Sequence, residues 1–570
     1  IKKLLFACLF AGTCLSVHAQ QRLWVFFDNK GEDVSSRLEC PENFLGPDAL
    51  ERRKVKGIPV DVSDLPVEAS YVETMGAYGK VLSSSRWLNA VAMDVEESCL
   101  PELGKLDFVK GMKPVGKLIQ ARDRAIPEPQ TGQPLYVDMP LYEADPDIPF
   151  RYGGAEMQNY MINVQEMHRK GFTGRGVRLA FFDSGFDGAD TIAAFDSLRA
   201  DGRIIAVRDF VDEGGDVYRS DSHGTQVLST VASNVPDELV GTAPHVSVVL
   251  CRTEQAASET QQEEHNWVAA LEWVDSIGVD MIHTSLGYNE FDDGIGDYTY
   301  EDMDGNTAIV TIAADRAAAK GILVTTSAGN AGDESWHYIT APCDGDSILC
   351  IGAVDKYRKH ARFSSFGPSS DGQVKPDVVA LGMNASVYSS RNYLTYSNGT
   401  SFSGPIISGM VACLRQAHPE RSNMEIIRAV QLSGDQFAFP DEKYGYGIPD
   451  AAFADSLLSN VADLASVEII MTEKPERGKP KAPKIVKEIV FTDNPKSNVS
   501  VVGNELIISS AASGSTLREV QIRRNKQRVF LSSKDYSIGS REARFNISAL
   551  LGGQHYVHIV TDDYEENVKF

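Results

Sequence analysis

Between residues 151 and 465, short apolar runs rich in β-branched residues alternate with longer helical stretches, and nothing else in the chain restricts its fold so strongly. The runs fall at 177–182, 246–251, 278–285, 322–326 and 348–354, with helices predicted between them at about 223–232, 263–276 and 306–320. Strands apolar at successive positions read as buried on both faces. Their alternation with helices predicts an α/β domain: a mostly parallel sheet with helices on both faces. In such a domain, functional groups gather at the carboxyl ends of strands and the amino ends of helices.

The flanks have a different texture. Segment 21–116 reads as a small α+β domain, with strands at 23–27 and 87–95, a charged helix at about 47–56 and a short helix at 100–106. Residues 117–150 are rich in proline and charge, and 472–484 set Pro475, Pro480 and Pro483 among lysines; both read as linkers. Beyond them, 485–570 carries short alternating runs at 505–508, 519–522, 528–531, 543–547 and 556–560, the pattern of a small β-sandwich. At the start, Lys2 and Lys3 precede an apolar run over 4–15 and a Val17-His18-Ala19 exit. That is the form of a secretory signal peptide over 1–19 and predicts export. No other apolar run approaches the ~18–20 residues that cross a bilayer.

Charge and cysteine narrow the task. A formal net charge of -24 argues against nucleic acid or anionic lipid as the main partner. Outside the leader, Cys40, Cys99, Cys251, Cys343, Cys350 and Cys413 show no metal-site spacing, so no zinc site is expected. An oxidising compartment permits disulfides, with Cys343 and Cys350 the nearest local pair and Cys40 with Cys99 a second candidate. Cys251 and Cys413 read equally well as buried thiols.

Three motifs carry chemistry, in the order Asp, His, Ser. Phe182-Asp183-Ser184-Gly185 ends a predicted buried strand, Ser222-His223-Gly224-Thr225 opens a helix, and Asn398-Gly399-Thr400-Ser401-Phe402-Ser403-Gly404-Pro405 opens another. Each alone is an ordinary turn or helix start. Together, over about 155–455, they resemble the subtilisin-like serine peptidase family, whose triad has this order. Ser327-Ala328-Gly329-Asn330 resembles the family's oxyanion segment, and Ser285-Leu286-Gly287 its substrate-binding edge. Trp24-Val25-Phe26-Phe27, Ser85-Arg86-Trp87-Leu88-Asn89 and Trp336-His337-Tyr338 fit more narrowly the subtilases of the Bacteroidetes group.

The resemblance implies a secreted serine endopeptidase acting on protein or peptide substrates, with no cofactor needed for its chemistry. His223 would take the Ser401 proton, Asp183 would orient the imidazole, and Asn330 with the Ser401 backbone N–H would hold the oxyanion. Segment 21–116 stands where the family keeps an inhibitory pro-domain, and 117–150 would be the processing linker. Segment 485–570, opening at Asp493-Asn494-Pro495 and holding Gly552-Gly553-Gln554-His555-Tyr556-Val557, resembles a type IX secretion sorting domain. Its alternative is a carbohydrate- or protein-binding sandwich. Export would deliver the protein to the exterior or cell surface, or to the periplasm if that domain is not a sorting signal.

Other residues weigh less. Asp187 is a rival carboxylate in a turn, and His245, His283 and His337 read as packed or polar-surface residues, with pocket lining a second reading of His337. Asp302-Met303-Asp304-Gly305-Asn306 hints at calcium but lacks a calcium loop's Gly at the sixth position and acidic residue at the twelfth. Two rival readings remain. A binding module on the same fold predicts erosion of Asp183, His223, Ser401 or Asn330, and all four positions are occupied; a carboxyl-assisted peptidase predicts an acidic residue where His223 stands.

Overall fold

The computed structural model describes residues 20–115, 148–461 apart from 293, 295 and 438, residue 464, and the backbone of strands between 497 and 569. The expected leader at 1–19, the expected linker at 472–484 and all but 148–150 of the expected linker at 117–150 lie outside the described residues.

The N-terminal domain is built on β1 (Gln20–Phe27), α1 (Pro47–Val55), α2 (Ala69–Gly76), β2 (Gly79–Ser85), β3 (Ala90–Glu96) and β4 (Val109–Val115). Its strands form one sheet in the order β2-β3-β1-β4. β2 was not expected from sequence, and the run predicted at 87–95 begins as a turn, with Asn89 at a left-handed φ of 51°. Residues along β1 take opposite faces with period two. Leu23, Val25 and Phe27 join Met75, Val91 and Met93 in the domain's own core. Trp24, with Trp87, Ala90 and Ala92, instead packs on Trp267, Leu271 and Val274 of the larger domain.

That larger domain contains β5 (Arg178–Asp183), β6 (Ile204–Asp209), α3 (His223–Ala232), β7 (Ser247–Arg252), α4 (Gln261–Ile277), β8 (Met281–Thr284), α5 (Ile309–Ala319), β9 (Leu323–Ser327), β10 (Leu349–Val354), β11 (Val378–Leu381) and α6 (Thr400–Ala417). The seven strands order β11-β10-β9-β8-β5-β7-β6, and every neighbouring pair is parallel. The α/β expectation therefore holds. Its missed strands, β6 and β11, are the two sheet edges, where β6 exposes Ile205 and Val207 and carries no continuous buried run. Chain order changes direction at β5, so Asp183 lies at a switch point, the usual crevice of an open α/β sheet.

Cys343 and Cys350 are joined across 5.1 Å between Cα atoms, and Ala328 and Ile339 pack around them beneath the Asn330 segment. Cys40 and Cys99 are free thiols, which corrects that candidate pair; Cys251 and Cys413 are buried thiols. Beyond residue 496 the strands form two four-stranded antiparallel sheets, the two-sheet pattern expected of a sandwich. Among the described residues, no helix is long and apolar enough to cross a membrane.

Candidate active site

Asp183 closes β5 with its side chain fully buried. Its Oδ1 accepts from the Ser184 backbone N–H at 2.9 Å and faces His223 Nδ1 at 2.8 Å. A carboxylate only accepts, so this contact fixes the proton on Nδ1 and leaves Nε2 as the basic nitrogen. His223 is the first residue of α3, and its own N–H, which a helix start cannot satisfy internally, donates to Asp221 Oδ2 at 2.8 Å. Gly224 explains the tight approach: a Cβ there would stand 2.4 Å from the Gly185 carbonyl oxygen and 2.9 Å from Asp183 Cβ.

The charges around His223 are unbalanced. Burial disfavours its imidazolium, but Asp183, by charge and hydrogen bond, with Asp221 and Glu254, outweighs that and pushes the pKa up to about 9. Burial first, and then the Asp183 charge, push Glu254 itself up to about 7. Neither Asp221 nor Glu254 was singled out from sequence, because no motif marks a carboxylate that acts across space.

Ser401 is the second residue of α6 and only 7% exposed. Its N–H belongs to the first turn, where donors lack helical acceptors and the helix field favours an anion. Asn330 meets this helix tip: its Oδ1 accepts from the Thr400 N–H at 2.9 Å and the Thr400 hydroxyl at 3.0 Å. Since a backbone N–H can only donate, Thr400 fixes which end of the amide is oxygen and leaves the Nδ2 donor free to point elsewhere. The Ser401 hydroxyl lies 3.5 Å from the Ser285 carbonyl oxygen, and no hydrogen bond joins it to His223 among the described residues. His223 packs instead against Phe402, with ring centroids 5.9 Å apart.

Ser285, Leu286 and Gly287 extend the chain beyond β8. Tyr288 pairs with Ala341 in both directions, at 2.9 and 3.1 Å, but the backbones of Leu286 and Gly287 have no hydrogen-bond partner among the described residues. Such an open edge can take an extended peptide as an added strand.

The remaining candidates find other uses. The Asp187 carbonyl accepts from Thr225 Oγ1 at 2.7 Å, and its carboxylate makes no hydrogen bond to His223. His245 bonds Thr173, while His337 stacks on Phe366 at 4.2 Å and bonds the Gly332 carbonyl, so it is a packing residue. Asp302 and Asp304 accept from the Thr299 and Asn306 N–H groups at 2.7 and 2.8 Å, the capping role of an acidic loop. Among the described residues no group of three or more His, Cys, Asp or Glu is arranged to hold a metal.

The likeness to known proteins is broad. Subtilisin NAT of Bacillus subtilis subsp. natto is 27% identical over 354 residues, spanning 61% of this chain and 76% of that protein. Subtilisin DY of Bacillus licheniformis is 29% identical over 289 residues, spanning 49% of this chain and 92% of that protein. Fervidolysin from Fervidobacterium pennivorans, a keratinolytic enzyme related to subtilisin, shares the fold at a TM-score of 0.52 and 16% identity, over 97% of this chain and 74% of that one. The profile of the subtilase family matches residues 57–447, from within the N-terminal domain to well past the helix that carries Ser401. This chain therefore belongs to the subtilase family and is a serine-type peptidase.

Proposed function

We propose that the chain is an exported endopeptidase, made as a self-processing proenzyme, in which Asp183, His223 and Ser401 form the triad and Asn330 completes the oxyanion hole. The observation that carries this reading is the 2.8 Å contact between Asp183 Oδ1 and His223 Nδ1, made at a strand end that faces two helix starts. In the reaction, Ser401 Oγ turns from the Ser285 carbonyl towards His223 Nε2, a tightening expected when substrate fills the site. His223 takes the hydroxyl proton as Oγ attacks the peptide carbonyl, and then delivers it to the leaving amine. Water, deprotonated by the same nitrogen, releases the acyl group. The Asn330 amide and Ser401 N–H would stabilise the charge that appears on the carbonyl oxygen. The open edge at 285–287 would align the substrate backbone.

The N-terminal domain is assigned as the inhibitory pro-domain, from about 21 to 116, and 117–150 as the segment cut on maturation. Its contact with the catalytic domain supports this. Lys113, near the end of β4, lies over the Tyr298 ring, and Arg22 donates to Gln262 at 2.8 Å. Segment 485–570 is assigned as a sorting domain for type IX secretion. Ser401→Ala tests the whole reading. Expressed in a host without other secreted peptidases, it should accumulate as a folded precursor beginning near Gln20, whereas the native chain should begin within 117–150. Cutting of the variant at the native rate would contradict self-processing by Ser401.

A further inference from the structure

Pro405 raises a question about the nucleophile's own peptide. It is the sixth residue of α6, beyond the first turn, where a proline would cost nothing. A proline there supplies no N–H to the carbonyl four residues earlier, and its ring crowds that carbonyl. The deprived carbonyl is that of Ser401, a residue only 7% exposed, where an unpaired acceptor is costly. The structure provides a substitute: Ser285 Oγ donates to the Ser401 carbonyl oxygen at 3.0 Å.

A serine hydroxyl has one proton and a rotor that must be held. His283 holds it. The imidazole, 1% exposed, places Nε2 2.8 Å from Ser285 Oγ. Because the Ser285 proton is spent on Ser401, Ser285 must accept here, so Nε2 carries the ring proton and Nδ1 is an acceptor. Nδ1 faces Thr325 Oγ1 at 3.1 Å and Ser408 Oγ at 3.0 Å. Thr325 Oγ1 also bonds the Ile282 carbonyl at 2.9 Å and Ser408 Oγ at 2.5 Å, and Ser408 Oγ lies 3.3 Å from the Gly404 carbonyl, so the two hydroxyls form one neutral network around Nδ1. The tautomer is fixed from the Ser285 side, with Nε2 protonated and Nδ1 an acceptor in that network. The packing is equally restrictive: a Cβ on Gly404 would stand 2.8 Å from His283 Cε1, so helix and imidazole are in direct contact. Burial, and then the nearby His223, push the His283 pKa down to about 3, and the ring stays neutral throughout the working range.

We infer that His283 is a positioning residue for catalysis, orienting the Ser285 hydroxyl so that it replaces the helical hydrogen bond that Pro405 denies to the Ser401 carbonyl. The Ser401 peptide, and with it the angle of Oγ and the adjoining N–H, is thereby set by a strand of the sheet rather than by its own helix. The inference rests on the reading of Ser401 as nucleophile.

A double-mutant cycle on the full chain tests it. His283→Leu should lower kcat, and the rate at which a fluorophosphonate labels Ser401, by about ten- to a hundredfold, since small misplacements of reacting groups have effects of that size. KM should change less than about threefold, because ground-state binding is untouched. Ser285→Ala should give a similar loss. In the Ser285→Ala background, His283→Leu should add little, because the two act as one unit. His283→Gln, which keeps a donor in reach, should recover most of the rate. Should His283→Leu fail to fold, His283→Asn, too short to reach Ser285, takes its place in the cycle. A folded His283→Leu or His283→Asn chain with native kcat, or losses that simply multiply, would overturn the inference. If the native chain is active while the variants are indifferent, only the positioning role fails; a native chain that is inactive and unlabelled at Ser401 refutes the underlying reading instead.

Discussion

Asp275 and His283 are both buried, each gathers partners from distant parts of the chain, and they are built in opposite ways. Asp275, on α4, receives the guanidinium groups of Arg52, Arg53 and Arg86, all from the N-terminal domain. Next to it, Glu272 accepts from the Arg86 and Trp87 N–H groups at 2.9 and 3.1 Å and from the Ser85 hydroxyl. This surface is ionic and incompletely paired: Trp24 Nε1, Trp87 Nε1 and the Nε atoms of Arg52, Arg53 and Arg86 are buried without a hydrogen-bond partner among the described residues. The His283 cluster holds no charge, and each of its polar side chains is satisfied.

The physics assigns the two clusters different lifetimes. Buried ion pairs gain little over apolar packing, because desolvation offsets their attraction, yet both sides return to water readily when separated. Neutral hydrogen bonds inside a packed core have no such second solvent. The molecule thus places charge where two domains are proposed to part and neutral groups where geometry must persist.

The largest expected effect strikes the site itself. Asp183→Asn should slow self-processing and peptide hydrolysis by about 10⁴-fold, the size of that change in a chymotrypsin-type triad and near the ~3 × 10⁴ lost when the aspartate is removed from a subtilisin, because the amide cannot hold the same imidazole tautomer. Steady-state kinetics on a peptide amide reads it; a loss under tenfold would mean that another group orients His223.

Next comes the contrast between the clusters. In a Ser401→Ala background, which keeps the chain intact, Asp275→Ala should lower the unfolding free energy by about 3–5 kcal/mol by stranding buried guanidinium groups. Ser408→Ala, in the neutral cluster, should cost about 0.5–1.5 kcal/mol. Urea titration compares them, and equal costs would break the distinction.

Asn330→Ala should raise the barrier by about 2.7–4 kcal/mol, again a subtilisin figure, and appear in kcat with KM nearly unchanged. A matching rise in KM would place Asn330 in ground-state binding instead.

The smallest effect is in pH. An ordinary imidazole predicts an acid limb of kcat/KM at about 6–7, whereas the carboxylates around His223 move it upward, towards about 9. Catalysis needs the neutral ring, so the rate should rise with pH through this limb. Stability runs the other way: the imidazolium's favourable contacts act fully below about 6.5 and are lost as pH rises through about 9. Asp221→Asn should return the limb towards neutrality by about one unit or less, on the scale of a partly exposed pair. A limb that does not move would show that Asp183 and Glu254 set it without Asp221.

Legibility in the sequence followed burial, except at β11, which is fully buried but only four residues long. The inner strands could be read because a strand covered on both faces must be apolar throughout, while the exposed edge strand β6 carried no such run. Asp183, His223 and Ser401 stand at element ends within compact motifs, so their placement could be read from local pattern. His283 could not: its meaning depends on Ser285, Ser408 and the Ser401 carbonyl, 118 residues further along the chain in the last case. The same holds for Asp275, whose partners lie in another domain. Pro405 is visible in the motif, but its depth in the helix is not: a first-turn proline costs nothing, whereas a sixth-position proline leaves a carbonyl to be satisfied.

Whether Ser401 is the nucleophile served by His223 can be settled by mapping a fluorophosphonate adduct with tandem mass spectrometry in the native chain and in His223→Ala. The native protein should carry the adduct on Ser401, and His223→Ala should label more slowly by orders of magnitude, because a serine hydroxyl without its base is a poor nucleophile. An adduct on another serine, or equal labelling rates in the two proteins, would contradict that assignment.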